Sequence, residues 1–195
     1  MTLFSRLAAY YPCDNTHGRS LSEDVVGTNN GTAGVVSAAP GKVRQGMFFL
    51  LSGGQFRSVP NDSALQALKG VCCWVKFSTL AADMSIVSKG SDGTDANTSI
   101  KLWYDHSDTD LAFTVGDGST STTVRTDGIT LAVDTWYHVR CFNDGNRMGI
   151  AVNGTLYGSG TARAPLTETG LLYLGSDFSN NYFDGVLDEV ALFST

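Results

Sequence analysis

The sequence predicts an all-β protein, a two-sheet antiparallel sandwich. Two observations carry this. Apolar residues recur in short runs with a period of two, and no long stretch repeats them at helical spacing. Turn pairs punctuate the runs: Asp92-Gly93, Asp117-Gly118, Asp127-Gly128, Asp144-Gly145 and Asn153-Gly154. Many short strands at turn spacing, without intervening helices, pack as antiparallel sandwiches.

In chain order, the runs predict a first strand over 7–12 and a hairpin of 46–51 with 55–59 around Ser52-Gly53-Gly54. One short helix is expected over 62–69, with Asp62 as its N-cap and Leu65 and Leu68 on one side. Residues 71–77 alternate sharply, with Val71, Cys73 and Val75 on one face and Cys72, Trp74 and Lys76 on the other. Strands follow over 85–89, 99–104, 111–115, 122–125, 136–142, 148–152, 155–157, 171–174 and 183–193. Asn153-Gly154, between Ile150-Ala151-Val152 and Thr155-Leu156-Tyr157, predicts a two-residue hairpin with a primed turn. The polar stretches 90–97 and 117–123 read as long hairpin loops, and Gly158-Ser159-Gly160 as a further loop. No composition shift or internal repeat divides the chain, so residues 1–195 are read as a single domain.

The net charge is −6, and no Lys/Arg cluster stands in the sequence. That argues against nucleic acid as a partner. No run reaches the length of a membrane-spanning helix. The opening Met-Thr-Leu-Phe-Ser-Arg-Leu lacks the pattern of a secretory signal. Cys13, Cys72, Cys73 and Cys141 have no zinc-ligand spacing. They are read as free thiols, with a Cys13–Cys141 bridge as the alternative.

Four stretches resemble the laminin-G-like, concanavalin-A-like jelly rolls, a group that includes pentraxins. They are Leu7-Ala8-Ala9-Tyr10-Tyr11-Pro12-Cys13-Asp14, Val71-Cys72-Cys73-Trp74-Val75-Lys76, Thr135-Trp136-Tyr137-His138-Val139 with Asp144-Gly145 and Val152-Asn153-Gly154, and Tyr182-Phe183-Asp184-Gly185-Val186-Leu187-Asp188-Glu189-Val190. Cys13 stands where the family usually has Phe. The resemblance implies a two-sheet jelly roll whose first and last strands lie close together. It implies little about function, because the fold hosts lectins, adhesion modules, enzymes and coat proteins.

On a regular strand, one of Asp188 and Glu189 shares a face with apolar residues, and a buried carboxylate needs a partner. Asp14, Asp24 and Asp188 form the predicted calcium set, since oxygen ligands from separated loops suit that ion. The commoner arrangement is an acid held by backbone N–H groups or an arginine. Asp184, Asp188 and Glu189 lack the spacing of glycosidase acids, and no Gly-x-Ser-x-Gly elbow occurs. His17, His106 and His138 are too scattered to suggest a triad. Trp74 and Trp136 are read as structural residues of core strands. Trp103 and Tyr104 are adjacent, so one faces inward and the other outward. Phe178, Tyr182 and Phe183 flank the polar loop 176–181, where Asn180, Asn181 and Tyr182 are the predicted ligand-binding rim. Anchoring of the loop by those aromatics is the competing use.

The chain is therefore expected to be a non-enzymatic surface module with possible cofactors limited to calcium. The favoured setting is a phage particle, as a capsid decoration or fibre protein made in host cytoplasm. Its partners would be coat or other virion proteins and copies of itself, with a surface glycan as a further ligand. The alternative is a calcium-dependent, lectin-like carbohydrate-binding module of a larger secreted protein.

Overall fold

The structure is a computed structural model that describes residues 6–15, 20–32 and 35–194. His17 lies outside the described residues. Two antiparallel sheets pack face to face. The eight-stranded sheet contains β1 (Leu7–Tyr11), β2 (Ser37–Pro40), β3 (Gln45–Phe49), β5 (Gly70–Phe77), β10 (Trp136–Asn143), β11 (Arg147–Val152), β12 (Thr155–Thr161) and β14 (Gly185–Phe193). The six-stranded sheet contains β4 (Arg57–Val59), β6 (Met84–Gly90), β7 (Thr98–Asp105), β8 (Asp110–Gly116), β9 (Ser121–Arg125) and β13 (Leu172–Leu174), in the order β4-β13-β6-β7-β8-β9.

The first and last strands pair, as the resemblance implied, with Tyr10 opposite Ala191 and Tyr11 opposite Val190. The alternation of β5 also holds: Val71, Cys73, Val75 and Phe77 are fully buried between the sheets, while Cys72, Trp74 and Lys76 face outward. Phe77 and Phe49 of the large sheet meet Phe183 at ring distances of 5.5 and 5.8 Å, and Phe77 meets Tyr104 of the small sheet at 5.7 Å. Aromatic burial of this kind dominates the energetics of a sandwich core.

The structure departs from the expected elements in several places, each with a local cause. Residues 46–51 and 55–59 do not form a hairpin. A 3₁₀ turn at Leu51–Gly53, closed by left-handed Gly54, carries the chain from β3 in one sheet to β4 in the other. The helix over 62–69 contracts to one 3₁₀ turn at Ser63–Leu65, although Asp62 does cap it by accepting from Ala64 N at 2.8 Å. The Lys69 N–H instead bonds Phe193 O, which starts β5. Gly158-Ser159-Gly160 is part of β12, not a loop. A Cβ on Gly158 would stand 2.1 Å from Arg125 O, so only glycine lets β12 approach β9 and close that side of the sandwich. Trp74 and Trp136 lie on the outer face of the large sheet, each with a lysine ammonium over its ring. All four cysteines are free, so Cys13 and Cys141 form no bridge.

Candidate functional site

The outer face of the six-stranded sheet carries one lateral row of side chains across all its strands. Register places Ser58, Tyr173, Ser88, Lys101, Thr114 and Thr123 side by side. The next row runs Ser85, Trp103, Ala112 and Arg125. Tyr104 is buried and Trp103 faces out, half-buried, as their adjacency required. The floor around Trp103 is small and polar: Ser85, Ser88 and Thr114 are buried, and the Ser85 hydroxyl has no partner. Trp103 Nε1 donates to Thr114 Oγ1 at 3.3 Å, which fixes the indole against this floor.

Loops wall one end of the face. A Cβ on Gly93 would collide with Ser179 Oγ, and one on Gly116 with the carbonyls of Asp95 and Ala96, so loops 91–97 and 176–181 meet over the sheet. Opposite them, the tight turn between β7 and β8 brings Asp105 and Asp110 face to face. Trp103 lies on the stretch of sheet face between these loops and this turn, termed the trough.

Two cations flank the indole, Lys101 Nζ at 4.8 Å and the Arg125 guanidinium at 5.4 Å from its centroid. Both are neutralised. Lys101 pairs with Asp177 at 2.9 Å, and Arg125 with Asp105, Asp108 and Asp110 at 2.8, 2.9 and 3.0 Å. Burial pushes the Asp177 carboxyl up, but the Asn181 amide and the Lys101 ammonium outweigh it and leave the group below its ordinary value. Burial likewise opposes ionisation of Asp105, and the Ser107 hydroxyl and Arg125 reverse it. At Asp110 burial prevails over Arg125, and the carboxyl is raised.

The expected rim residues border this trough. Tyr182 stacks on Phe56 at 6.3 Å, Phe56 meets Tyr173 at 5.8 Å, and Tyr173 lies two strands from Lys101. Tyr182 Oη donates to Asn180 Oδ1 at 2.8 Å. Asn180 is exposed in a left-handed conformation. Asn181 is a strut: its amide donates to Asp177 Oδ2 and its carbonyl accepts from Ser85 N. Phe178 is 51% exposed on the same loop, whereas Phe183 is in the core.

Asp14, Asp24 and Asp188 are all buried but do not converge. Asp24 accepts from Tyr10 N, Val26 N, Asn29 N and Asn29 Nδ2, so its oxygens hold the 24–30 loop to β1. Asp14 accepts from Gln45 N, and Asp188 from Val43 N. Among the described residues no three His, Cys, Asp or Glu side chains gather as a metal would require. The strict alternation expected around Asp188 is broken by a bulge. Glu189 has φ +52°, which turns Val190 and Leu192 inward beside Leu187 and leaves Asp188 on the outer face under the 41–44 turn.

The sequence placed Trp103 and Tyr104 on opposite faces without saying which was outward, and Lys101, Arg125, Asp105, Asp110 and Asp177 escaped the sequence reading. Their only signal is cross-strand register, which no local spacing displays.

The sandwich and its polar, aromatic outer face define a lectin-like jelly roll. The family profile described as the concanavalin A-like lectin/glucanases superfamily, Laminin_G_3, matches residues 51–195, and the chain belongs to that superfamily. No curated protein sequence matches it. Among solved structures it is similar to domain 4 of AbnA, an extracellular GH43 arabinanase from Geobacillus stearothermophilus, in complex with arabinotriose. That likeness has a TM-score of 0.77 at 20% identity, covering 97% of this chain and 92% of that one. It is also similar to the binding domain of Paraclostridial Mosquitocidal Protein 1, with TM-score 0.75, 13% identity, and coverage of 99% of this chain and 50% of that one. Mouse laminin alpha1 domains LG4-5 align with TM-score 0.59 and 16% identity over 81% of this chain and 41% of that one.

Proposed function

We propose that this domain is a non-enzymatic module that binds an uncharged carbohydrate in the trough of the six-stranded sheet. The observation that carries the reading is Trp103, a half-buried indole fixed on a floor of hydroxyls between two cations already paired with carboxylates. A sugar presents C–H faces to an aromatic ring and hydroxyls to polar groups. Phe178 and Asn180, exposed on the wall, extend the same surface. The arabinotriose complex of the AbnA domain supports the class of ligand.

Asp105 and Asp110 face each other across β7 and β8, yet both are tied to Arg125. Retaining and inverting hydrolysis both need one protonated acid and one carboxylate free to act on opposite sides of the bond. The acids here serve to hold Arg125 beside Trp103.

The test is titration with arabinotriose and with neutral hexose oligomers. Trp103→Ala should weaken the best of these about tenfold or more, some 1.4 kcal/mol, with the variant still folded by circular dichroism at the titration temperature. Equal affinity of wild type and variant, or no neutral binder at all, would sink the reading. The same titrations run with calcium and with a chelator separate the calcium-dependent alternative, which demands loss in chelator.

Display on a virus particle is a second reading, favoured by four free thiols in one chain. Free thiols suit assembly in a reducing cytosol. Coat proteins and further copies of the chain would then be its partners. Mass spectrometry of purified particles decides it, and a longer secreted parent absent from any particle would defeat it.

A further inference from the structure

The large sheet carries a groove of quite different chemistry. It has a volume of about 470 Å³ and lies where β5 begins and β10 and β14 end. That volume is within the usual range of small-ligand sites, about 300–1,000 Å³. Its ionic lining is Arg6, Lys69, Arg140 and Arg147 against Asp144 alone, in a chain whose net charge is −6. Phe142 forms its apolar part. The Phe142 ring lies across Gly149, and the Arg140 and Arg147 guanidinium groups stand 5.2 and 5.9 Å from its centroid.

The contrast with the trough is in the partners. Around Trp103 every cation is matched by carboxylates at 2.8–3.0 Å. In the groove, Lys69 and Arg140 have no carboxylate within ion-pair distance among the described residues. Arg147 reaches only Asp144, at 3.7 Å and at an exposed position. Asp144 Oδ1 is meanwhile occupied by the N–H groups of Asn146 and Arg147 in its own turn. Arg140 is held near its ring by cation–π attraction, which orients the guanidinium without neutralising it. An arginine so placed keeps its hydrogen-bond donors for a planar or tetrahedral oxyanion.

The geometry points to a second ligand site in this groove, for a small molecule bearing a carboxylate, sulfate or phosphate group. Lys69 and Arg140 supply the charge, with Arg147 at the rim. The site is independent of the trough, because the two lie on the outer faces of opposite sheets.

Titration at low ionic strength with inorganic phosphate, glucuronate, galactose 6-sulfate and uncharged glucose tests this. At least one of the three anions should bind, glucose should not, and binding should weaken steeply by about 0.5 M salt. The anion preferred names the source: phosphate alone for a bare oxyanion site, either acidic sugar for a site that also uses the ring. The double variant Lys69→Gln/Arg140→Gln, at one half-buried and one exposed position, should bind the preferred anion at least about tenfold more weakly while remaining folded by circular dichroism. Trp103→Ala should bind it as wild type does, so failure of this site and failure of the trough read out separately. The inference is overturned if none of the three anions binds at low salt, if glucose binds as well as they do, or if the double variant retains full affinity.

Discussion

Asp188 is fully buried on the outer face of β14 beneath the 41–44 turn. One carboxylate oxygen accepts from Val43 N at 2.7 Å, and the other has no partner. Burial, with the nearby Glu189 charge adding to it, pushes the Asp188 carboxyl up to about 6 from an ordinary 3.8, against the Val43 N–H that favours ionisation. Between about pH 4 and 6 the folded state holds a proton here that the unfolded state has lost, so this group's stabilising contribution fades as pH rises through that window. Asp105, Asp177 and Asp144 are lowered and work in the opposite direction, while Asp110 is raised and works in the same one. A difference measurement isolates Asp188. Asp188→Asn keeps the acceptor for Val43 and removes the charge. It should raise stability near pH 7 by about 1–3 kcal/mol and give little gain near pH 4. Melting curves of both proteins across this range check it, and an equal offset at both ends would contradict it.

At the scale of elements, the β11–β12 hairpin shows what a local signal can specify. Asn153 and Gly154 have φ of +49° and +85°, the two left-handed residues of a primed turn, and Asn153 Oδ1 accepts from His138 N. A Cβ at Gly154 would meet nothing within 4 Å, so Gly154→Ala reads the backbone cost alone. It should destabilise by about 1 kcal/mol, lowering the denaturant midpoint with no change in slope. This turn was legible because the dipeptide and its flanking apolar runs lie within ten residues. β2 was not: Ser-Ala-Ala-Pro is mostly exposed and carries no alternation, and it becomes a strand only through pairing with β3. The bulge at Glu189 was hidden for a related reason, since nothing in Asp188-Glu189 announces a left-handed residue outside Gly or Asn. The Ser52-Gly53-Gly54 turn was visible, but not that it joins two sheets, because a turn sequence encodes a reversal and not its destination. At the trough, the strand period set Trp103 and Tyr104 on opposite faces, and only the packed sheets decided that Trp103 faces outward with its cross-strand neighbours around it.

At the scale of the whole molecule, the four thiols report on how the sandwich opens. Cys73 and Cys141 lie on the neighbouring strands β5 and β10 and point into the core, Cys13 is buried after β1, and Cys72 alone is half-exposed on the large sheet's outer face. Burial raises all four thiols above their ordinary value. At Cys13 the Asp188 charge adds to it, and at Cys72 Arg140 partly opposes it. The thiolate is the reactive form, so the native protein should react slowly even at Cys72, whose Sγ also lies 3.1 Å from His138 Nε2. The other three become accessible only when the two sheets part or β1 leaves β14. If the sandwich unfolds as one cooperative unit, the three should be labelled together, at a rate set by global opening and raised equally by denaturant. Cys72→Ser should abolish native-state labelling and leave the slow triple labelling intact. Labelling followed by intact-mass and peptide analysis distinguishes the outcomes. Early modification of Cys13 ahead of Cys73 and Cys141 would mean that β1 peels from β14 below global unfolding, and that the pairing of the two chain ends is the weakest joint of the fold.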